Sequence, residues 1–170
     1  MDQNVIRCAT ESDAAVLFDL INEAYHVESG NVPPAFKLTT RFLSPTDLQP
    51  LLASGRVLIC ERGGFAVGVL SYSVESHPPT ILRAHFGPFA VSRQWQGKGV
   101  GGALLRELAV RARSEGCVSL DAEVVNHRHD LFPLYLGRLG FRVVGEIQFP
   151  APERLSRPAH FVCIRKPLGP

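Results

Sequence analysis

Apolar residues near the start of the chain follow two different periods. A short apolar run from Val5 to Ala9 predicts a strand. Thr10 then stands three residues before Asp13, a spacing typical of a helix N-terminus. Apolar residues recur at helical spacing after it, namely Val16, Leu17, Leu20, Ile21 and Ala24. The pattern therefore predicts a first strand followed by a helix that ends near His26.

The segment from Val27 to Phe42 shows no regular period. It contains one glycine and two adjacent prolines, so we predict a long loop, and irregular segments of this length often carry function. Downstream, Ser44-Pro45-Thr46-Asp47 combines an N-cap serine with proline at the first helical position. This predicts a short second helix that ends near Gly55.

The middle of the chain has the composition of β-strands. Two apolar runs, Arg56 to Glu61 and Phe65 to Val74, are separated by Arg62-Gly63-Gly64, which predicts a hairpin. Another strand is predicted from Ile81 to Val91. Gly87-Pro88 interrupts it, and because proline cannot donate to a strand ladder, a bulge is expected there.

The C-terminal half alternates helices and strands. Apolar positions on one helical face from Val100 onward predict a helix that Gly116 ends. The remaining predictions are a strand from Val118 to Val125, a helix from Asp130 to Leu139 closed by Gly140, a strand from Phe141 to Phe149, a proline-rich loop from Pro150 to Pro158 and a strand from His160 to Lys166. This mixed α/β order predicts a single domain over residues 4–168.

Composition narrows the class of protein. The 170 residues are 45% hydrophobic and 20% charged, which is ordinary for a globular domain. The net charge is only +2 and the basic residues are scattered, so no nucleic-acid binding is expected. The N-terminus lacks a signal-peptide pattern and no apolar run has the length of a membrane span. We therefore expect a cytoplasmic protein that does not bind a membrane.

The cysteines and histidines do not form a metal-binding pattern. The four cysteines lie far apart in apolar stretches, which predicts buried free thiols in a reducing compartment: Cys8, Cys60, Cys117 and Cys163. His127 and His129 stand beside Asp130, but a His-x-His in a loop is usually not a metal site. No metal is expected.

A glycine-rich stretch directly before the predicted third helix carries the most specific signal. It follows Val91 and comprises Gln96, Gly97, Lys98, Gly99, Val100, Gly101 and Gly102. Alternate glycines let the main chain approach an anion, while the first helical N–H groups and the helix dipole favour negative charge. The stretch predicts a cradle for a diphosphate, and a glycine-rich turn without a ligand is the simpler alternative.

A Rossmann dinucleotide site also places alternating glycines after a strand. Asp121 lies twenty residues after Gly101, where the ribose-binding carboxylate of such a site is expected. Against this, five residues separate Val91 from Gly97, whereas the Rossmann fingerprint leaves its strand at once. A Walker loop does not fit, because Lys98 is not followed by Ser or Thr at the required spacing.

Three segments resemble those of the GNAT acetyltransferase superfamily. Gln96 to Gly101 matches the family's Gln/Arg-x-x-Gly-x-Gly/Ala signature, whose loop grips the diphosphate of coenzyme A (CoA). Leu134-Tyr135-x-x-x-Leu139-Gly140-Phe141 resembles its Leu-Tyr-x-x-x-Gly-Phe-like helix ending, and His160 to Lys166 is similar to its closing strand. The resemblance spans essentially the whole chain.

The resemblance implies a fold and an activity. The implied fold is a mostly antiparallel, twisted sheet with a central parallel pair splayed at a bulge, flanked by helices. The implied activity is N-acetyl transfer, in which an amine attacks the cosubstrate acetyl-CoA directly in a ternary complex. A non-catalytic acyl-CoA-binding or regulatory module is the second hypothesis, and a dinucleotide-binding domain is the third.

The resemblance also implies roles for single residues. Backbone groups of Phe89 and Val91 would bind the pantetheine arm and polarise the thioester carbonyl, and Tyr135 would protonate the departing sulfur as general acid. Asn126 would contact CoA, although a turn cap is the commoner use of asparagine. We expect His85 as the general base, because histidine titrates near neutral pH, with Glu75 and Glu123 as the other candidates.

The resemblance also implies the position of the acceptor pocket, between the loop from Val27 to Phe42 and the loop from Pro150 to Pro158. Its predicted lining residues are Glu28, Phe36, Phe42 and Phe149. The acceptor itself, a small-molecule amine, a peptide N-terminus or a lysine side chain, is left open. So is the choice between a monomer and a homodimer.

Overall fold

The structure is a computed structural model that describes residues 3–26, 42 and 44–169. Its strands are β1 (Val5–Cys8), β2 (Val57–Arg62), β3 (Phe65–His77), β4 (Ile81–Val91), β5 (Cys117–Val125), β6 (Arg142–Gln148) and β7 (His160–Pro167). Its helices are α1 (Ala14–His26), α2 (Gln49–Ala53), α3 (Val100–Ser114) and a π-helix (Pro133–Arg138). None of these helices is long and apolar enough to cross a membrane. The predicted loop from Val27 lies outside the described residues, except for Phe42.

The seven described strands form one mixed sheet in the order β1-β2-β3-β4-β5-β7-β6. Every neighbouring pair is antiparallel except β4 and β5, which are parallel and connected through α3. This confirms the expected fold class. A Rossmann-type domain needs a doubly wound parallel sheet, so the dinucleotide-binding alternative is wrong.

The two helix starts predicted from the sequence are confirmed. The Asp13 carboxylate accepts a hydrogen bond from the Thr10 backbone N–H at 2.7 Å, before α1. Asp47 accepts one from the Ser44 N–H at 2.9 Å, before α2. Asp13 is buried and also receives two hydrogen bonds of 2.8 Å from Arg7 on β1, so this cap fastens α1 to the edge of the sheet.

We expect Asp13→Asn to lower the free energy of unfolding by about 2 kcal/mol, because Arg7 loses its charged partner and the single amide oxygen cannot accept from both Thr10 and Arg7 as the two carboxylate oxygens do. Arg7 holds the pKa of Asp13 at about 2. A lowered folded-state pKa stabilises the protein above the ordinary pKa of 3.8, and this contribution is lost as the pH falls through about 2. Urea unfolding between pH 7 and pH 2 measures the effect. The exposed Glu11→Gln in the same turn is the control, and equal losses in both variants would contradict the prediction.

Two hydrophobic clusters lie on opposite faces of the sheet. The first packs under α3 and includes Leu104, Leu108 and Leu120, which are at most 1% exposed. The second packs under α1 and α2 and includes Leu17 and Ile21. The sheet is therefore the middle of three layers, and a gap between two of its strands would connect the two faces.

Such a gap is present between β4 and β5. The two strands pair only as far as His85 opposite Asp121, and beyond that point each pairs with its other neighbour. Against β3, the single residue Ser71 faces both Gly87 and Pro88, which is the arrangement of a β-bulge. The predicted interruption of β4 is confirmed, and the parallel pairing with β5 ends just before it, at His85.

The helix predicted from Asp130 to Leu139 is shorter and of a different type. Only the π-helix from Pro133 to Arg138 is regular. Four residues separate Tyr135 from Gly140, one more than in the family pattern quoted above. The turn is a π-helix, which holds more residues in one turn than an α-helix does.

The prediction of four buried thiols is wrong for two cysteines. Cys60 and Cys117 are buried, whereas Cys8 is exposed and Cys163 is half-buried. Cys8 ends β1, the outermost strand of the sheet, where no further strand of the described chain covers it. Apolar neighbours in the sequence did not reveal this position at the edge.

Candidate active site

The loop between β4 and α3 turns twice through the left-handed region at glycine. The φ angle is +74° at Gly97 and +84° at Gly99, and Gly99 is the N-cap residue of α3. Residues with a Cβ rarely adopt these angles, because the side chain crowds the backbone. The backbone path into α3 therefore requires glycine at both positions.

Five backbone N–H groups at the mouth of α3 have no acceptor among the described residues. They belong to Gly97, Gly99, Val100, Gly101 and Gly102. The first bonded N–H of the helix is that of Ala103, which donates to the Gly99 carbonyl at 3.0 Å. Unpaired donors at the positive end of a helix dipole form an anion site. Val100 as a whole is only 1% exposed, so the donors that a ligand can reach are those of the glycines, which are exposed or half-buried.

The first turn of α3 lies directly against β4. A Cβ at Gly101 would lie 3.1 Å from the Phe89 ring, and a Cβ at Gly102 would lie 3.3 Å from the Arg106 guanidinium. A side chain at position 101 would therefore push the helix away from the strand. Glycine here keeps the anion site next to the gap between β4 and β5.

Cations surround the only tryptophan of the chain. The Arg62 guanidinium lies 5.0 Å and the Lys98 ammonium 4.8 Å from the centre of the Trp95 ring. Cation–π contacts at these distances orient both side chains. They place two positive charges beside the N–H groups of the β4–α3 loop, which strengthens its attraction for a diphosphate.

The edge of β4 presents backbone groups to the gap. The Val91 carbonyl accepts a hydrogen bond from the Gln96 side chain at 3.1 Å, whereas the N–H of the following Ser92 bonds to β3. Backbone groups of alternate residues point to opposite sides of a strand, so those of Val91 face away from β3. Phe89 lies two residues before Val91 on the same strand, so its backbone groups face the same side. These are the two residues predicted to bind a pantetheine arm.

Tyr135 lies in an aromatic cluster beneath the splayed strands. Its ring centre is 5.5 Å from that of Phe141 and 6.3 Å from that of Phe86, and the residue is 7% exposed. No described residue forms a hydrogen bond with its hydroxyl. Burial, assisted by the nearby Tyr25, raises the Tyr135 pKa above its usual range, and the charge of Arg128 acts in the opposite direction. The phenol therefore stays protonated at neutral pH, as a proton donor must.

The structure brings two of the three candidate bases together. His85 Nε2 on β4 lies 3.7 Å from Glu123 Oε1 on β5, and this nitrogen is buried with no hydrogen-bond partner among the described residues. Glu75 lies instead opposite Arg83 and 3.8 Å from His77. His85 stands at the last paired position of β4 and β5, opposite Asp121, and Glu123 lies two residues further along β5, where the gap has begun.

Two other candidate residues have partners within the protein. The Asn126 side-chain oxygen accepts a hydrogen bond from the His160 N–H at 3.1 Å, and the Asn126 N–H donates to the His160 carbonyl at 3.0 Å. Asn126 thus connects the end of β5 to β7, as in the turn-capping alternative given above. Asp121 accepts hydrogen bonds from Arg165 at 2.6 Å and Ser119 at 2.7 Å. Burial acts to raise the Asp121 pKa, and these hydrogen bonds outweigh it and lower the pKa.

The predicted acceptor pocket is described only in part. The Phe149 ring centre lies 4.9 Å from that of Phe161, and Phe42 exchanges two backbone hydrogen bonds of 3.0 Å with the Asn22 side chain. Glu28 and Phe36 lie outside the described residues. Over the described part of the chain, no group of three histidine, cysteine or acidic side chains is arranged to hold a metal.

The sequence reasoning missed Arg106 and Tyr25. Arg106 lies one helical turn after Gly102 and its side chain returns toward the helix mouth. The i, i+4 spacing from the glycine loop could have revealed it. Tyr25 lies on α1, on the opposite side of the sheet from Tyr135, and its charge acts to raise the Tyr135 pKa. No local pattern signals this influence, because the two residues are 110 positions apart.

Comparisons with known proteins agree with this geometry. The model of the acetyltransferase (GNAT) family matches residues 18–141. A ribosomal-protein-alanine N-acetyltransferase from Brucella melitensis is 26% identical, with a TM-score of 0.74 over 96% of this chain and 99% of that one.

Two further solved structures share the fold. The yncA protein from Salmonella typhimurium, solved with its cofactor acetyl-CoA, is 21% identical, with a TM-score of 0.74 over 99% of this chain and 95% of that one. Arabidopsis thaliana Naa50 in complex with the bisubstrate analogue CoA-Ac-MVNAL is 14% identical, with a TM-score of 0.69 over 96% and 97% of the two chains. With its splayed parallel pair, its open helix mouth and the family match over most of its length, this chain belongs to the GNAT family of acetyltransferases.

Proposed function

We propose that the chain is an N-acetyltransferase that binds acetyl-CoA and transfers its acetyl group directly to an amine within a ternary complex. One observation carries this proposal: the N–H groups without described acceptors at the mouth of α3 lie next to the gap between β4 and β5. A diphosphate on those groups would leave the attached arm free to enter the gap. The donors, the glycines and the flanking cations fit the diphosphate of CoA.

The remaining residues would divide the chemistry as follows. Backbone groups of Phe89 and Val91 orient the pantetheine arm, and a fixed N–H donor there stabilises the oxyanion that forms at the thioester carbon by about 3 to 4 kcal/mol. When the carbon–sulfur bond breaks, Tyr135 gives its proton to the sulfur and later regains one from solvent. The products are CoA as a thiol and the acetylated amine.

An acceptor that arrives as an ammonium ion must lose a proton before it attacks. We propose that His85 takes this proton, directly or through water, with Glu123 beside it. The supporting observation is the buried His85 Nε2, which has no hydrogen-bond partner among the described residues and lies where the gap begins. The Glu123 carboxylate at 3.7 Å would stabilise the imidazolium that results.

If the pair acts as a unit, His85→Gln and Glu123→Gln should each lower kcat/KM about tenfold or more, and the double variant should lose little beyond the worse single one. Glu75→Gln on the neighbouring strand is the matched control and should retain full activity. Initial rates with acetyl-CoA and a saturating amine, measured for the wild type, both single variants and the double variant, complete this double-mutant cycle. Fully multiplicative losses would show that the two residues do not act together.

For the acceptor, we propose the α-amino group of a polypeptide. This is supported by the likeness to a ribosomal-protein-alanine N-acetyltransferase and to Naa50 bound to an acetylated peptide analogue. A panel should contain peptides with free N-termini, the same peptides with blocked N-termini and an internal lysine, and small amines. Activity limited to small amines or to lysine would reject this acceptor class.

Release of CoA thiol, followed with a thiol reagent, tests the function as a whole. We expect release only when acetyl-CoA and an acceptor amine are both present. Tight binding of acetyl-CoA without thiol release across the whole panel would favour the non-catalytic binding module instead. Absence of binding would reject both hypotheses.

A further inference from the structure

A groove runs along α3 on the face that bears the π-helix. One wall is the α3 face from Gly102 to Arg113, a rise of about 16 Å over twelve residues. Leu120 forms part of its floor, and Phe141, just after the π-helix, stands on the other side. The cavity within it has a volume of about 140 Å³. It begins at the same helical turn that closes the proposed diphosphate site.

The groove carries positive charge without compensation. Arg106, Arg113 and Lys166 line it, and none of the described lining residues is acidic. Lys166 donates to the Leu139 carbonyl at 2.8 Å and Arg113 to the Gly169 carbonyl at 3.4 Å, so both are held in place by neutral partners and retain further donors. Arg106 has no hydrogen-bond or ion-pair partner among the described residues. Three cations of one sign along one groove attract an anion, most strongly at low ionic strength.

The position of Arg106 indicates which anion. Its guanidinium reaches back to 3.3 Å from the place where a Gly102 Cβ would stand, so it lies at the mouth of α3 and at the entrance of the groove. If the loop holds the diphosphate of CoA, the molecule has one more phosphate, attached to the 3′ carbon of its ribose. A dianionic phosphate matches the bidentate geometry of a guanidinium.

We infer that this groove receives the 3′-phosphate of CoA. Arg106 would contact the phosphate directly, and Arg113 and Lys166, further along the groove, would add to the positive potential that attracts it. The inference rests on the proposed function, since it assumes that CoA is the ligand. It makes the protein selective for CoA over dephospho-CoA, which lacks only this group.

Calorimetric titration of the purified protein with CoA and with dephospho-CoA tests the inference. We expect the wild type to bind CoA about tenfold more tightly or better, as one charge-assisted pair provides. In Arg106→Gln, and more fully in Arg106→Gln/Arg113→Gln, the two ligands should bind with similar affinity. Both side chains are exposed, so folding should be unaffected. Arg154→Gln removes the same charge from the loop before β7 and should keep the wild-type ratio.

Each outcome decides a different question. Equal affinities in the wild type would overturn the subsite and leave the proposed function intact. A wild-type preference that survives in the double variant would place the 3′-phosphate elsewhere and also overturn the inference. If neither ligand binds, the inference and the proposed function fail together.

Discussion

Gly99→Glu should weaken CoA binding by a factor of about 100 or more. The substitution puts a carboxylate at the N-cap of α3, beside the N–H groups that have no described acceptor and that we propose bind the diphosphate. Two like charges 4 Å apart repel by about 4 kcal/mol at an effective dielectric of about 20. The new carboxylate would also compete for the same donors as an intramolecular cap. Calorimetry or ligand-induced thermal stabilisation measures the loss.

Backbone strain must be separated from this effect, because Gly99 has a φ of +84°. Gly64 in the β2–β3 hairpin is a matched control, with a φ of +79° and no described atom within 4 Å of the place where its Cβ would stand. Gly64→Glu should lower the free energy of unfolding by about 1 to 2 kcal/mol, as Gly99→Glu should, because this is the penalty for an L-residue in the left-handed region. It should leave CoA binding unchanged. Equal binding by the Gly99→Glu protein would mean that the diphosphate is held elsewhere.

Tyr135→Phe should lower kcat about 100-fold and leave the affinity for CoA unchanged, since general acid catalysis contributes factors of about 100 or more. The phenol is buried, and its raised pKa keeps it protonated across the working range. The wild-type rate should therefore show no decline due to Tyr135 up to about pH 9. Steady-state rates and direct CoA titration separate the two parameters. Undiminished turnover would remove Tyr135 from the mechanism.

Tyr72 provides the control for that experiment. It is also 7% exposed, but its hydroxyl donates to Glu115 at 2.8 Å, at the end of α3 opposite the glycine loop. Tyr72→Phe should lose about 1 kcal/mol of stability and keep its turnover, whereas Tyr135→Phe, whose hydroxyl has no described partner, should show the reverse. Parallel losses of activity would point to a general disturbance of the core.

Local chemistry determined what the sequence could predict. The carboxylates at Asp13 and Asp47 cap their helices because capping needs only a spacing of three residues. Gly63 and Gly64 both have positive φ angles and form the hairpin turn between β2 and β3, as two adjacent glycines between apolar runs predict. The glycine loop before α3 likewise depends on adjacent residues. These features lie within a few positions of each other, so a single sequence reveals them.

Features that depend on distant segments were missed or left open. His85 meets Glu123 only because β4 pairs in parallel with β5, and Glu123 lies 38 positions further along, so the sequence showed no sign that these two candidate bases come together. The exposure of Cys8 follows from the position of β1 at the edge of the sheet. The π-helix from Pro133 to Arg138 was also missed, because the apolar spacing there was interpreted as an ordinary helix.

The tryptophan in the β4–α3 loop has a practical consequence. Trp95 is the only indole in the chain, and it is held between the charged ends of Arg62 and Lys98. Indole fluorescence therefore reports on this loop alone, and its emission wavelength and intensity depend on the positions of the Arg62 and Lys98 charges. A ligand that draws either side chain toward itself changes the emission, so the protein carries a native fluorescent probe at its proposed cosubstrate site.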